Sequence, residues 1–186
     1  MKKPTATIQF LQQAPEHFAQ VASWHHQECE RQGLQSSLSV RQQRLLTHVQ
    51  DDEIPKTIIA VKNEELLGCV SLVNYTYRGS ERMPKVSATS SIWLSNLYVP
   101  DHQREHGIGN VLIEAAKKYA TDLGLHELWL SAAEYTDYYQ KRGWETTRRT
   151  RLGGRQVNIM RIDLNHMVNL DLTNSGYGQQ TIPTRF

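Results

Sequence analysis

The stretch that decides the fold reads Leu97-Tyr98-Val99-Pro100-Asp101-His102-Gln103-Arg104-Glu105-His106-Gly107-Ile108-Gly109-Asn110. Apolar residues before it predict a strand, and the pattern after Gly107 predicts a long amphipathic helix. Helix N-termini expose unpaired N–H groups and carry a partial positive charge, so they bind phosphate. Gly107 and Gly109 let a phosphate approach the backbone, and Arg104 adds a guanidinium donor. The segment therefore predicts a cradle for a pyrophosphate.

Three other motifs fit this cradle poorly. A Walker loop needs Gly-Lys followed by Ser or Thr, which is absent here. The Rossmann fingerprint needs a third glycine where this chain has Leu112, and an acid at the end of the next strand, whereas Glu127 lies at its start. Residues 102–106 spell H-x-x-E-H, a zinc-hydrolase signature, but they precede the helix instead of sharing one of its faces. We expect no metal.

The cradle resembles the signature of the GCN5-related N-acetyltransferase (GNAT) family. That signature is Gln or Arg, two residues, Gly, one residue, then Gly or Ala, and residues 104–109 match it. Family members also have a Leu-Tyr-Val-like triplet upstream, as residues 97–99 do. About thirty residues downstream they carry a segment similar to Tyr138-Tyr139-Gln140-Lys141-Arg142-Gly143-Trp144. The resemblance covers about residues 7–164 and implies acetyl transfer from acetyl-CoA, as co-substrate, to an amine.

The resemblance also implies which residues bind the co-substrate. In the family, the strand before the cradle splays from the following strand, and pantetheine lies in the gap. Backbone groups of Leu97 and Val99 would pair with pantetheine amides, and an N–H near Tyr98 would polarise the thioester carbonyl. The backbone N–H groups that would hold the pyrophosphate belong to Arg104, Glu105, His106, Gly107, Ile108, Gly109 and Asn110.

Two side chains are candidate catalytic groups. Tyr139 matches the family's tyrosine that donates a proton to the departing thiolate. The acceptor amine must be neutral to attack, so an ammonium needs a proton acceptor. Many family members place a Glu on the strand before the cradle, where this chain has Ser95 and Asn96. We nominate Glu134 as the base, with a helix-capping role for Glu134 and water-relayed deprotonation as alternatives.

The predicted fold class is α/β (α+β), a mixed and mostly antiparallel central sheet flanked by helices and splayed between the strands at 90–99 and 127–132. Further strands are expected over residues 57–61, 66–73, 144–152 and 156–164, the last two joined by Gly153-Gly154. Helices are expected over residues 15–33, 107–123 and 136–142. A Ser39–Gln42 capping box opens another, with Leu45, Leu46 and Val49 in the core.

In the strand at 90–99, strict alternation puts Ile92 and Leu94 on one side and Trp93, Leu97 and Val99 on the other. Residues 74–91 read as a long loop of the kind that borders active sites. We assign residues 1–164 to one GNAT-like domain and residues 165–186 to a polar C-terminal extension.

Composition excludes several classes of partner. The chain has 186 residues, with 21 Lys and Arg against 19 Asp and Glu, a balance that argues against general nucleic-acid binding. No apolar run is long enough for a membrane span, and no apolar segment of a secretory signal follows Lys2-Lys3. Two cysteines, Cys29 and Cys69, fit a reducing compartment. We expect a cytoplasmic protein.

Charge is nevertheless uneven along the chain. Residues 141–161 contain seven Lys or Arg residues and a single acidic one, Glu145. This segment is either a solvated strand edge or a basic wall that favours an anionic acceptor. We expect the acceptor to be a small-molecule or peptide amine. The sequence leaves open whether the chain forms a homodimer. Because no cysteine falls in the predicted site, we expect direct attack. The alternative function is a non-catalytic acyl-CoA-binding or sensing module, with a zinc hydrolase as a remote third.

Overall fold

The computed structural model describes residues 6–75 and 91–165 and the backbone of residues 180–182. The strands are β1 (Ala6–Phe10), β2 (Lys56–Lys62), β3 (Glu65–Tyr75), β4 (Ser91–Tyr98), β5 (Glu127–Ala132), β6 (Glu145–Leu152), β7 (Arg155–Asp163) and β8 (Gln180–Ile182). They form one sheet in the order β6-β7-β5-β4-β3-β2-β1-β8. The β4–β5 pair is parallel and the other pairs are antiparallel. The predicted mixed, mostly antiparallel sheet is confirmed.

Helices cover both faces of this sheet. They are α1 (Phe18–Arg31), α2 (Leu38–Leu46), α3 (Ile108–Asp122) and α4 (Thr136–Gln140). One apolar cluster joins α1 and α2 to β2 and β3, with Val21, Leu45 and Ile59 at its centre. The larger cluster joins α3 to β3, β4, β5 and β7 around Leu112 and Met160. In the described part of the chain, no helix is both long and apolar enough to cross a membrane.

Two expectations about α2 are wrong. Its N-cap is Ser37, whose hydroxyl accepts a hydrogen bond from the Val40 N–H at 3.3 Å, so the helix begins before the predicted cap at Ser39. Leu46 is 52% exposed, whereas its neighbour Leu45 is buried. Adjacent helical residues point about 100° apart, so only one of the two leucines can face the core.

Strand β1 was not expected from the sequence pattern, and it pairs with β2 on one side and with β8 on the other. Ala6, Ile8 and Phe10 alternate along this short strand, and all three belong to or pack on the larger cluster. Strand β8 lies inside the polar extension, and its pairing with Ala6–Ile8 is a long-range contact that no local pattern predicts. Most of the expected loop at residues 74–91 lies outside the described residues.

Strand β4 contains a bulge that reverses the expected faces. Tyr98 pairs with Cys69 and Ser95 with Ser71, so two residues of β4 oppose one of β3 between these pairs. Asn96 lies in the bulge with φ of 53°. One extra residue moves every later side chain to the opposite face. Leu97 and Val99 therefore pack on the same cluster as Ile92 and Leu94, contrary to the strict alternation.

Candidate active site

The parallel strands β4 and β5 separate soon after they meet. Within the described residues their ladder consists of one pair, Trp93 with Trp129. Beyond it the edge of β4 that faces β5 pairs with none of the described strands, while the other edge stays paired with β3 as far as Tyr98. An unpaired strand edge can accept an extended chain through its backbone groups. The predicted splay is confirmed, and residues 97–99 lie along its rim.

The loop between β4 and α3 turns through two left-handed residues. Glu105 has φ of 65° and Gly107 has φ of 79°. Gly107 is the N-cap of α3 and, as a glycine, has no side chain that could cap the first N–H groups of this helix. These donors, of Ile108, Gly109 and Asn110, are therefore left for a ligand. An uncapped helix N-terminus beside a positive-φ loop is a suitable phosphate site.

The space beside the Gly109 backbone would admit a methyl group and is bounded by two side chains. A Cβ at this position would lie 3.5 Å from the Tyr138 hydroxyl oxygen and 3.9 Å from Val99 Cγ2. Val99 is part of the rim of the gap, so the gap and the N-terminus of α3 are continuous. Arg104 braces the same loop, because its Nε donates to the Val99 carbonyl at 3.0 Å and its Nη1 lies 3.0 Å from Asp101 Oδ1.

Arg142 holds α4 against the first turn of α3. Its guanidinium lies over the Tyr138 ring, 3.5 Å from the centroid. The Nε donates to Asn110 Oδ1 at 2.8 Å, and Nη1 donates to the Tyr138 carbonyl at 2.8 Å. These contacts of Arg142, which we call the clamp, therefore fix the Tyr138 hydroxyl beside Gly109. Neither Arg142 nor Tyr138 was assigned to the site from the sequence.

Tyr139 lies on α4 with its ring between two other aromatic side chains. The ring centroids of Tyr138 and Trp144 are 5.4 and 6.2 Å away, both in edge-on geometry. Burial raises the pKa of the Tyr139 phenol to about 12, and Tyr138 and the charge of Glu28 add to the rise. The phenol therefore stays protonated near neutral pH and can act as a donor.

Glu134 lies between the end of β5 and α4, in an ion-pair network. Its carboxylate is 3.4 Å from Arg31 Nη1 and 3.7 Å from Arg155 Nη2. These contacts join α1 to the β6–β7 hairpin. The N-cap of α4 is Tyr135, without a side-chain cap, so the alternative that Glu134 caps this helix is wrong.

Glu28 extends the same network along α1. Arg31 donates to both of its carboxylate oxygens, at 2.8 and 2.9 Å, and Gln32 donates to one at 2.7 Å. Burial alone raises the pKa of Glu28, but these hydrogen bonds outweigh it and the net shift is downward. Nearby, the Leu34 side chain contacts Gly153 in the hairpin turn. The end of α1 and the hairpin therefore approach each other beside the splayed strands.

The pairing register of β6 and β7 places the basic side chains of residues 141–161 on both faces of the sheet. Arg149 pairs with Asn158, whose side chain donates to Thr136 of α4, so Arg149 points to the α3–α4 side. Arg148 pairs with the next position, Ile159, and therefore points to the α1–α2 side. Arg155 and Arg161 lie on that side as well. Strand β6 is also a sheet edge, so the solvated-edge and basic-wall interpretations each describe part of the segment.

Residues 16–144 match the sequence model of the Acetyltransferase (GNAT) family. The chain belongs to the GNAT family. The co-substrate of this family fits the residues present, since an uncapped helix N-terminus for a pyrophosphate meets an unpaired strand edge for a pantetheine chain. A search of curated proteins found no match to this GNAT protein.

Solved structures share its fold at low identity. N-acetylglutamate synthase from Neisseria gonorrhoeae, complexed with coenzyme A and N-acetyl-glutamate, is 19% identical with a TM-score of 0.60 over 88% of this chain and 36% of that one. The present chain thus spans about a third of the synthase. Spermidine/spermine N-acetyltransferase SpeG from Vibrio cholerae is 17% identical, with a TM-score of 0.61 over 89% and 96%. Ribosomal-protein-alanine N-acetyltransferase from Brucella melitensis is 17% identical, with a TM-score of 0.63 over 84% and 98%.

Proposed function

We propose that this GNAT protein transfers the acetyl group of acetyl-CoA to a primary amine by direct attack. The observation that carries the proposal is the uncapped N-terminus of α3, continuous with the unpaired edge of β4. Acetyl-CoA supplies the acetyl group as an activated thioester. A C–N bond forms to the amine and the C–S bond breaks. The sulfur keeps the bonding electron pair, and one proton of the amine ends on the thiol.

The rim and the cradle bind the co-substrate in this proposal. Backbone groups of Leu97 and Val99 pair with the pantetheine amides, and the N–H near Tyr98 donates to the thioester carbonyl. The N–H groups of residues 104–110 hold the pyrophosphate. Glu105 is an acid in this loop, but its side chain is exposed, so its backbone can serve without placing the carboxylate against the phosphates.

Tyr139 is the proposed proton donor to the leaving sulfur. A phenol held protonated in a largely apolar setting donates a hydrogen bond to a developing thiolate. The Tyr139→Phe substitution keeps the ring packed on Tyr138 and Trp144 and removes the hydroxyl alone. We expect kcat to fall about 10- to 100-fold, equivalent to about 1.4–2.7 kcal/mol, with an unchanged melting temperature.

Glu134 is the proposed proton acceptor for the amine, directly or through water. Its ion pairs with Arg31 and Arg155 give the carboxylate a second possible role, as a tie between α1 and the hairpin. The Glu134→Gln substitution distinguishes the proton-acceptor role from the structural tie. Loss of a base removes the acidic limb from the pH profile of kcat, whereas loss of a tie lowers activity equally at every pH and raises KM for the amine.

The burial of both cysteines favours direct attack by the amine over a route through an acyl-enzyme. Cys69 is fully buried beside His25 and the Asn96 carbonyl, and burial raises the pKa of its thiol to about 12. A thiol in that state is a poor nucleophile for an acyl-enzyme. Cys29 is buried on α1, and neither cysteine is in a disulfide.

The proposed acceptor is a small-molecule or peptide amine, and an anionic group on it would find cations on the α1–α2 side of the hairpin. Arg155 and Arg161 are there, although each is within ion-pair distance of a glutamate. An amine panel incubated with acetyl-CoA and a thiol reagent tests the function, with amine-dependent CoA release as the expected result. Thiol release that does not depend on any amine would refute it.

A non-catalytic acyl-CoA-binding module is the second candidate. It is favoured by the ion-paired state of Glu134 and by Ser95 and Asn96 on the strand where many family members have a Glu. This module would bind CoA in calorimetry, acetylate no amine, and respond little to Tyr139→Phe. A zinc hydrolase has less support, because His102 lies in a 3-10 turn (Asp101–Gln103) and is within 3.7 Å of Glu65.

A further inference from the structure

Two tryptophans lie side by side where β4 and β5 last pair. Trp93 and Trp129 are direct cross-strand partners, with ring centroids 6.1 Å apart and ring planes 33° from parallel. Both side chains are half-buried. Together they form a mostly apolar aromatic surface at the closed end of the splayed gap, which we call the indole floor.

The orientation of Trp129 is fixed through Glu127. The Trp129 Nε1 donates to Glu127 Oε1 at 2.9 Å, and Arg161 Nη1 donates to Glu127 Oε2 at 3.1 Å. Arg161 is also the cross-strand partner of Trp129. The polar edge of this indole is therefore satisfied by the protein, and what the ring can still offer a ligand is its apolar face.

The indole floor belongs to the side of the sheet on which α1 and α2 pack. Those helices cover β2, β3 and the end of β4, and their apolar cluster includes no residue of β5, β6 or β7. Between the floor and the open end of the gap, the next side chains on this face are small, Ser95 on β4 and Ser131 on β5. Ile159, the cross-strand partner of Ser131, is buried beside this path. A molecule resting on the floor can thus extend along the serines toward the thioester end.

We propose that the indole floor is the acceptor subsite and that the acceptor is an arylalkylamine, a primary amine joined by a short chain to a flat apolar ring. This inference rests on the proposed acetyltransferase function. Indole faces also attract cations, and the arginines on this side do not decide against one, because Arg155 and Arg161 are paired with Glu134 and Glu127. A second ammonium on the acceptor would have to give up water to rest on apolar ring faces, and this desolvation favours a neutral ring over a polyamine.

The first test compares phenethylamine, butylamine and diaminobutane, which present a ring, a chain and a second cation. The wild type is expected to acetylate phenethylamine with kcat/KM on the order of tenfold above butylamine, with diaminobutane lowest. Trp129→Leu should collapse the ratio of phenethylamine to butylamine toward one, and Trp129→Phe should restore part of it. Equal kcat/KM values for ring and chain amines in the wild type would overturn the inference while leaving the proposed function standing.

A binding measurement separates the two proposals. N-acetylphenethylamine, the expected product, should quench tryptophan fluorescence in the wild type and lose this effect in Trp129→Leu. The matched control is Phe10→Leu, which breaks another two-ring contact, with Tyr119 at 4.9 Å, far along the sheet on β1. It should keep both the quenching and the amine preference. Quenching without acetylation of any amine would support the floor and refute the transferase, and absence of both would overturn both.

Discussion

The Gly109→Ala substitution should make the protein more stable, whereas the larger Gly109→Leu should make it a worse binder of CoA. Gly109 is the second residue of α3, and its φ lies outside the left-handed range. An added Cβ would meet the Tyr138 hydroxyl at 3.5 Å and Val99 Cγ2 at 3.9 Å, both ordinary contact distances. Alanine therefore fits the ligand-free fold without displacing a neighbour.

Different effects on stability and binding follow from that geometry. Alanine is preferred over glycine in helices by up to about 1 kcal/mol, so the free energy of unfolding of Gly109→Ala should rise by about 0.5–1 kcal/mol. The family signature accepts Ala at this position, so Gly109→Ala should keep its affinity for CoA. The larger side chain of Gly109→Leu instead fills the space through which a phosphate reaches the N–H groups of Gly109 and Asn110. A hydrogen bond to a charged group contributes about 1.5–3 kcal/mol, so losing one should weaken CoA binding of Gly109→Leu about 10- to 100-fold.

Urea unfolding and calorimetric titration with CoA measure the two effects on the same preparation. Gly107→Ala is the informative comparison, because Gly107 has φ of 79° and a Cβ added there would have no atom within 4 Å. That variant should lose stability from backbone strain alone. A Gly109→Leu protein that binds CoA as tightly as the wild type would refute the cradle.

Three further outcomes are expected. Gly68→Ala puts a Cβ 2.8 Å from the Tyr98 carbonyl oxygen and should cost about 1–3 kcal/mol in urea unfolding, so a wild-type midpoint would contradict the close approach. Burial lowers the pKa of His25 to about 3 and that of His48 to about 4. Because the unfolded chain takes up these protons first, each histidine should remove about 1.4 kcal/mol of stability per pH unit as pH falls from 6.5 to 4, and His48→Gln should reduce that slope. Arg142→Lys keeps the charge but loses the planar fork, and should weaken CoA binding about threefold to tenfold in calorimetry, with an unchanged Kd as the contrary result.

The elements that could be predicted carry their signal within a few residues. The loop before α3 is marked by Gly107, and its helix by a regular apolar spacing. The β6–β7 hairpin is marked by Gly153 and Gly154, which have φ of 55° and 80° as a two-residue turn of this kind requires. Glycine at a positive φ and periodicity are local properties, so one sequence suffices to read them.

What could not be predicted depends on distant partners. No glycine marks the bulge at Asn96 in the sequence. The bulge is defined only by the pairing of the two strands, in which two residues of β4 lie opposite one of β3. Arg142 contacts Asn110 across 32 positions in the chain, so no spacing rule connects them. The pairing of Trp93 with Trp129 depends on strand order, which a local pattern leaves open. These contacts supply the clamp and the indole floor, while the glycine loop and the start of α3 were predictable from the sequence.

Transfer of an isotope label from acetyl-CoA to an amine is the most direct measurement of the central claim. The wild-type chain is incubated with acetyl-CoA labelled in the acetyl group and with each member of the amine panel, phenethylamine included, and the products are followed by mass spectrometry alongside thiol release. We expect one labelled amide for each thiol formed, with both rates falling together in Tyr139→Phe. Thiol release without labelled amide for any amine tested, or CoA binding with neither product, would contradict an amine acetyltransferase.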